Sequence, residues 1–437
     1  MRPSEKVLMS LGAALLVCVA SPFPALAAPA AAPQVTVEEQ RLPGPVPQEI
    51  LRLSGFADVA PGFGRDLAAA RTPAQAGRVA VRDGQRLWRR AVDRAQGRGR
   101  AERDGGPPGR SLGDGGALSR DDDRPLYWAR LGMTRTLREW KPAFSLSGKQ
   151  RTELIDKVER SSRGQDSIDL PPGPGVKRVL ITGFDPFQLD ADARRSNPSG
   201  AAALALDGTT VRTADGPARV EAVVFPVRWA DFADGTVERT LLPYFRPGPR
   251  RVDLFTTISQ GRPGRFDVER TNGAWRGGSP DNAGVSRTET VPVPPGFPTV
   301  RPQPQWTSTT LPYAAITAAR TGPYPVYDHT AVTEIPAGGT APVVRPDGPT
   351  PGSTAREGGG GDYLSNEIAY RATLLRDAVR LRVPGGHLHT PVLEFGAGNT
   401  DPANGRVSDP EFVRNRLAII AQTRSVITVA AGGAVRP

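Results

Sequence analysis

The sequence has 437 residues, with 56 Lys and Arg against 45 Asp and Glu and a formal charge of +11. That length exceeds one ordinary core and suits two domains. The single cysteine, Cys18, leaves the rest of the chain without disulfides, thiolate metal sites or a thiol nucleophile.

Only five of the basic residues are lysine, and 49 Gly and 45 Pro accompany them. The bias is toward Arg, Ala, Gly and Pro rather than toward a built patch. Basic residues alternate with Asp, as in "RGRAERDGG", and no aromatics interleave with them, so no nucleic-acid partner is expected. At this charge, anionic cell-wall polymers are an expected attraction.

Residues 1–27 read as a secretory signal. Arg2 and Lys6 make a basic start, "VLMSLGAALLVCVA" is the apolar run, and Ala25-Leu26-Ala27 is an A-x-A cleavage site. The run is short for a membrane span and nothing comparable follows, so no transmembrane segment is expected after cleavage. The mature chain, without cysteine and with a charge of +10, is expected to be secreted.

Residues 28–49 are Ala/Pro-rich and read as a leader. Helical periodicity then runs through 50–172, read as a small helical accessory domain. "AQAGRVAVRDGQRLWRRAVDRAQ" sets Val79, Leu87 and Val92 among arginines, and "PLYWARLGMTRTLREW" puts Leu126, Trp128, Leu131 and Leu137 on one side. The segment between them, 97–123, reads as a flexible loop. A further helix follows Ser147, a candidate cap, with Leu154 and Val158 facing inward.

After "DLPPGPGVK" the grammar changes. "KRVLIT" is a continuous apolar run of the kind buried on both faces of a sheet, and "RVEAVVFPV" and "RVDLFTTIS" are further strands. "WADFADGTVERTLLPYF" between them reads as a helix. Residues 173–437 therefore predict an α/β fold: a mostly parallel twisted sheet with helices on both faces, phosphorylase/hydrolase-like, preceded by the small helical domain. In such sheets ligands sit beyond the carboxyl ends of the strands.

The motifs cluster there. "GFDPF" places Phe184 and Phe187 on a loop, where they either form a slot for a small flat ring or bury into the core. Glu269, between Arg265 and Arg270, reads on its own as a surface ion pair. "SPDNAG" is an Asp-Asn turn. His387 and His389 would share a strand face, but no acidic spacing around them completes a metal site, so no metal or other cofactor is expected. "GGGGDYLSNEIAY" sets Ser365 at the head of a helix, either as an end-cap or as a nucleophile.

Taken in order, "GFDPF…NPSG", "SQGRPGRFDVER", "SPDNAG", "TTLP" at 309–312, "GDYLSNEIAY" and "GHLHTP" resemble motifs of the pyroglutamyl peptidase type I family. These cysteine peptidases remove an amino-terminal 5-oxoproline. The resemblance covers roughly 176–393. It implies that Ser365 stands in place of the catalytic cysteine, His389 at the general base and Glu269 at the residue orienting it. It also implies that Phe184, Phe187, Gln260, Tyr363 and Leu364 bind substrate, a peptide with N-terminal pyroglutamate.

Departures are visible. Gly278 and Ser279 stand where the family has an arginine, with Arg276 nearby, and an insertion over 334–356 reads as a flap. A serine needs a general base and an aligned carboxylate, which a thiolate does not. In an oxidising compartment a hydroxyl is inert where a thiolate is not. The resemblance thus implies a secreted omega peptidase with a Ser-His-Glu triad. The alternatives are an inactive member that binds oxoproline-capped peptides, or a basic cell-wall-associated structural protein.

Overall fold

The computed structural model describes residues 34–98 and 118–432. The expected signal segment, with Cys18, and most of the 97–123 loop lie outside them. All described residues fall in one compact unit spanning 32–437.

The chain begins with helices α1 (Val37–Arg41), α2 (Pro45–Ser54), α3 (Val59–Ala68), α4 (Pro73–Ala95), α5 (Arg124–Glu139) and α6 (Gly148–Ser161). Residues 37–41 and 45–49, read above as leader, are helical instead. The composition hides a capping box in which Thr36 accepts from Glu39 N and the Glu39 carboxylate accepts from Thr36 N. Ser147 caps α6 with Gln150 in the same way. Leu126, Trp128, Leu131 and Leu137 are buried, as are Leu154 and Val158.

The described end of the 97–123 loop, 118–123, is irregular as expected, but Asp121, Asp122 and Asp123 in it are all buried. Asp122 is fully enclosed with Arg124, Asp121 accepts from Arg416 Nε at 2.6 Å, and Asp123 accepts from the Asn197 N–H at 2.9 Å. A charge run that looks solvated is an internal ion-pair cluster.

The second half contains β1 (Lys177–Phe184), α7 (Pro198–Leu206), β2 (Thr209–Thr213), β3 (Gly216–Phe225), α8 (Trp229–Ala233), α9 (Thr236–Phe245) and β4 (Leu254–Gln260). Short strands β5 (Phe266–Glu269), β6 (Thr271–Gly273), β7 (Trp275–Gly277), β8 (Thr288–Thr290) and β9 (Trp306–Ser308) precede α10 (Tyr313–Ala318) and β10 (Val326–His329). Then come β11 (Val332–Ile335), β12 (Val343–Arg345), β13 (Thr354–Glu357), α11 (Leu364–Ala378), β14 (Gly385–Thr390) and α12 (Pro410–Gly432). The helix expected over 229–245 breaks at Gly235, whose φ of +77° favours glycine.

Seven strands form the main sheet in the order β10-β5-β14-β4-β1-β3-β2. Pairing is parallel from β14 through β4 and β1 to β3, while β5 and β2 join antiparallel to their inner neighbours. The fold is thus mixed α/β with a mostly parallel sheet. Alternation along the strands feeds two cores. Val179 and Ile181 of β1 enter one with Phe412 and Ile419 of α12, whereas Leu180 enters the other with Leu241 of α9 and Ile368 of α11.

The 334–356 insertion forms a separate antiparallel sheet, β12-β11-β13. The buried Glu334 braces it, accepting from Arg345 Nε at 2.8 Å and from the Thr350 N–H and hydroxyl, each at 2.6 Å. Trp306 Nε1 donates to Ser353 Oγ at 3.1 Å and ties the insertion to the body.

Candidate active site

On the sheet face under α9 and α11, the apolar lining of Leu180, Val223 and Phe255 gives way to polar groups. Register places His387 beside Thr257 on β4 and Glu269 on β5, and His389 beside Ser259 and Asp267. Side chains two apart share a face, so the two histidines, both carboxylates and both hydroxyls point the same way.

His387 is committed to structure. Its Nδ1 lies 2.8 Å from Thr257 Oγ1 and its Nε2 2.8 Å from Ser259 Oγ. Complete burial, reinforced by His389 nearby, pushes its pKa well below the ordinary imidazole value. With both nitrogens bonded, it offers no lone pair to a metal. Among the described residues, no group of three His, Cys, Asp or Glu is placed to hold an ion.

Glu269 is buried, and its partners are imidazoles. His389 Nδ1 lies 2.7 Å from Oε1 and His329 Nδ1 lies 2.6 Å from Oε2. Burial alone would raise the carboxyl pKa, but the hydrogen bonds from His329 and His389 outweigh it and hold the group well below the usual carboxylate range. An ionised carboxylate only accepts, so both imidazoles present Nδ1–H to it. In a neutral His389 the lone pair then sits on Nε2, for which the described residues supply no partner.

The flanking arginines do not form the expected surface pair with Glu269. Arg265 pairs with Asp267, and Arg270 pairs with Asp328. Arg262 is the cation near Glu269, 3.7 Å from Oε1.

Ser365 is the second residue of α11, and the N-cap is Tyr363, which makes no side-chain cap bond. The end-cap role therefore does not apply. The Ser365 hydroxyl instead donates to the Gly360 carbonyl at 2.9 Å, and no Ser365–His389 hydrogen bond occurs among the described residues. Leu364, Ser365 and Asn366 open the helix with N–H groups that have no intrahelical acceptor, at its positive end.

The glycine run before Ser365 lies against Glu269. Gly359 N donates to the Thr271 carbonyl at 2.7 Å, and a Cβ on Gly359 would stand 2.2 Å from Glu269 Oε2. No side chain larger than hydrogen fits there. Asn366 anchors the loop from the helix side, accepting from the Gly273 N–H at 2.9 Å and donating to the Gly273 carbonyl at 2.8 Å.

Of the residues assigned to the ring pocket, Phe184 and Leu364 are enclosed in the core at 3% and 1% exposure. Phe184 stacks on Phe232 at 6.1 Å. Phe187 and Tyr363 remain half-buried, 6.2 Å apart, and Trp229, which sequence reasoning missed, meets Tyr363 edge-on at 5.2 Å. Gln260 ends β4 and accepts from the Leu393 N–H at 3.4 Å. Arg276 is locked in a buried two-pronged pair with Glu367, at 2.7 and 2.6 Å, and cannot turn to a ligand.

The motifs are tied to one another. Asn197 Nδ2 donates to the Asp185 carbonyl at 3.0 Å, Asn282 Nδ2 to the Pro186 carbonyl at 2.8 Å, and Tyr363 OH to the Pro280 carbonyl at 2.9 Å. The Thr310 N–H donates to the Gly385 carbonyl at 2.8 Å, fixing the start of β14. His329 is the other residue of the candidate site that the sequence did not single out. It lies outside every motif, and only its pairing opposite Glu269 on β10 brings it in.

The PA0049 N-terminal domain family matches residues 20–159, and the PA0049 C-terminal domain family matches 178–303 and 326–394. The uncharacterized protein PA0049 of Pseudomonas aeruginosa is 36% identical over 476 aligned residues, covering 88% of this chain and 84% of that protein. Among solved structures, a mutant pyrrolidone carboxyl peptidase from Pyrococcus furiosus is 22% identical, covering 58% of this chain and 97% of that one, at a TM-score of 0.38. Pyroglutamyl peptidase I of Bacillus amyloliquefaciens is 20% identical, covering 57% and 97%, at 0.35. At this identity over most of both sequences, the chain belongs to the PA0049 family.

Proposed function

We propose that this protein is a secreted hydrolase that cleaves the amide following an N-terminal 5-oxoproline. The observation that carries the reading is the buried Glu269–His389 hydrogen bond of 2.7 Å beside the glycine loop that leads into Ser365. The six ordered motifs supply the substrate class.

In this reading the Ser365 side chain turns about χ1 from Gly360 toward His389, between staggered wells. Its oxygen attacks the exocyclic carbonyl carbon that joins the oxoproline to the next residue as His389 Nε2 takes the hydroxyl proton. Glu269 holds the imidazole in the required tautomer and stabilises the imidazolium. N–H groups at the head of α11 face the developing oxyanion. His389 then gives the proton to the departing amine as the C–N bond breaks, leaving an ester on Ser365. Water, deprotonated by His389, attacks that ester, and free 5-oxoproline leaves with Ser365 reprotonated. Phe187 and Tyr363 flank the lactam ring.

Purified protein should release a reporter amine from an oxoproline amide, and Ser365→Ala should abolish the release. Activity that survives this change refutes the assignment. A second reading is favoured by the Ser365–Gly360 hydrogen bond, which occupies the hydroxyl. On that reading the chain binds oxoproline-capped peptides without turnover, and Ser365→Ala leaves their affinity unchanged.

A further inference from the structure

We propose that His329 is a positioning residue for this reaction, holding the Glu269 carboxylate so that one oxygen faces His389. The inference rests on the peptidase reading above and adds a fourth group to its machinery.

A glutamate joined to one histidine retains a free terminal torsion, because rotation between the side-chain methylene and the carboxylate is broad and roughly two-fold. Here the second oxygen is also bonded. His329 Nδ1 meets Oε2 at 2.6 Å while His389 Nδ1 meets Oε1 at 2.7 Å, so each oxygen has its own imidazole donor. Turning the carboxylate would disturb both bonds at once.

The placement follows from the fold. β10 is the edge strand, paired parallel to β5 with His329 directly opposite Glu269, and the Arg270 N–H donates to the His329 carbonyl at 2.9 Å. The insertion sheet begins three residues later with Val332. His329 therefore lies between that sheet and the site. A thiolate nucleophile can form without a strictly aligned base, whereas a hydroxyl depends on alignment at every step. A doubly held carboxylate suits the serine at position 365.

Two substitutions test this. His329→Asn puts a side-chain N–H close to where Nδ1–H stands, and His329→Leu keeps bulk without a donor. His329→Leu should lower kcat on the order of 10- to 100-fold, the range for losing a hydrogen bond to a charged group, with KM changed by less than about twofold. His329→Asn should restore most of that loss. Equal kcat in all three proteins, no recovery by Asn over Leu, or a loss carried by KM overturns the proposal.

Proton NMR of the full chain gives a readout that does not need activity. Two downfield Nδ1–H signals should arise from the imidazoles on Glu269, and His329→Leu should remove one and move the other. If the unaltered protein cleaves no oxoproline amide, the peptidase reading fails. The spectrum then judges the positioning claim alone, and an unmoved His389 signal overturns it.

Discussion

Replacing Glu269 by Gln removes one acceptor from a group whose two oxygens are both in use. The amide oxygen can keep one imidazole Nδ1–H, but the NH2 group then faces the other as donor against donor. Losing a charge-assisted hydrogen bond costs about 1.5–3 kcal/mol, and a buried donor left unpaired costs about 1–3 more. Tautomer change at His329, the more exposed of the two rings, would recover part of this, so a loss of about 3 kcal/mol is expected.

Urea denaturation with an unchanged m-value would read that loss as stability rather than altered compactness. The catalytic effect should exceed about tenfold, because a neutral amide no longer stabilises the imidazolium that His389 becomes when it takes the proton. The pH dependence has a definite sign. Glu269 is depressed in the folded protein, so its contribution is complete above about pH 4.5 and declines as the pH falls further. The gap between the two proteins should narrow in acid. A stability loss below about 0.5 kcal/mol with kcat inside tenfold would refute the account of Glu269.

Asp207 behaves oppositely. Burial, with Glu221 nearby, raises its carboxyl to about 7, although it accepts from Trp88 Nε1 at 3.0 Å and from the Ala222 N–H at 2.9 Å. Between its ordinary value near 3.8 and about 7 the folded protein keeps a proton that the unfolded chain loses, so stability falls as the pH rises. The urea midpoint should drop from pH 5 to pH 8 less steeply in Asp207→Asn than in the unaltered protein; equal slopes would contradict this. Asp185→Ala should cost about 3–5 kcal/mol by leaving the Arg130 guanidinium buried without its carboxylate and Arg163 with Glu159 alone. Denaturation measures it, and a loss under about 1 kcal/mol would show that the pair is not needed for stability.

Residues whose role is written in their neighbours were legible from the chain. The apolar run of β1 and the Ser147 cap both depend on spacings of a few residues. Expectations failed where the partner lies far away. Asp121, Asp122 and Asp123 look solvated until Arg416, some 295 positions on, is seen bonded to Asp121. Glu269 looks like a surface ion pair because its sequence neighbours are arginines, yet strand pairing sends those arginines to Asp267 and Asp328. His329 had no local signal, since a histidine before an insertion is unremarkable until β10 pairs with β5. Ser365 missed the cap position by two residues, because Tyr363 takes the extended conformation that starts α11.

The helices before β1 had no role that their sequence could name, yet their hydrogen bonds converge on the loops around the candidate site. Asp123 accepts from the Asn197 N–H in the turn that caps α7, and Arg130 and Arg163 both reach Asp185 between the two loop phenylalanines. Glu38 accepts from Tyr127 OH and from Arg228, each at 2.9 Å, and Arg41 donates to the Asn282 carbonyl at 2.8 Å. Most of these groups are buried, where an ion pair survives only with close geometry and further hydrogen bonds. Decorative packing would not require that. Three separate loops, 184–199, 228–229 and 279–285, are each held from the helical side, and the half-buried Phe187 and Tyr363 hang from them or against them. The position of the proposed ring-binding surface therefore depends on residues more than a hundred positions upstream of the first strand-end motif, such as Glu38 and Arg41, and a chain begun at β1 would carry every proposed catalytic group without the supports that set their spacing.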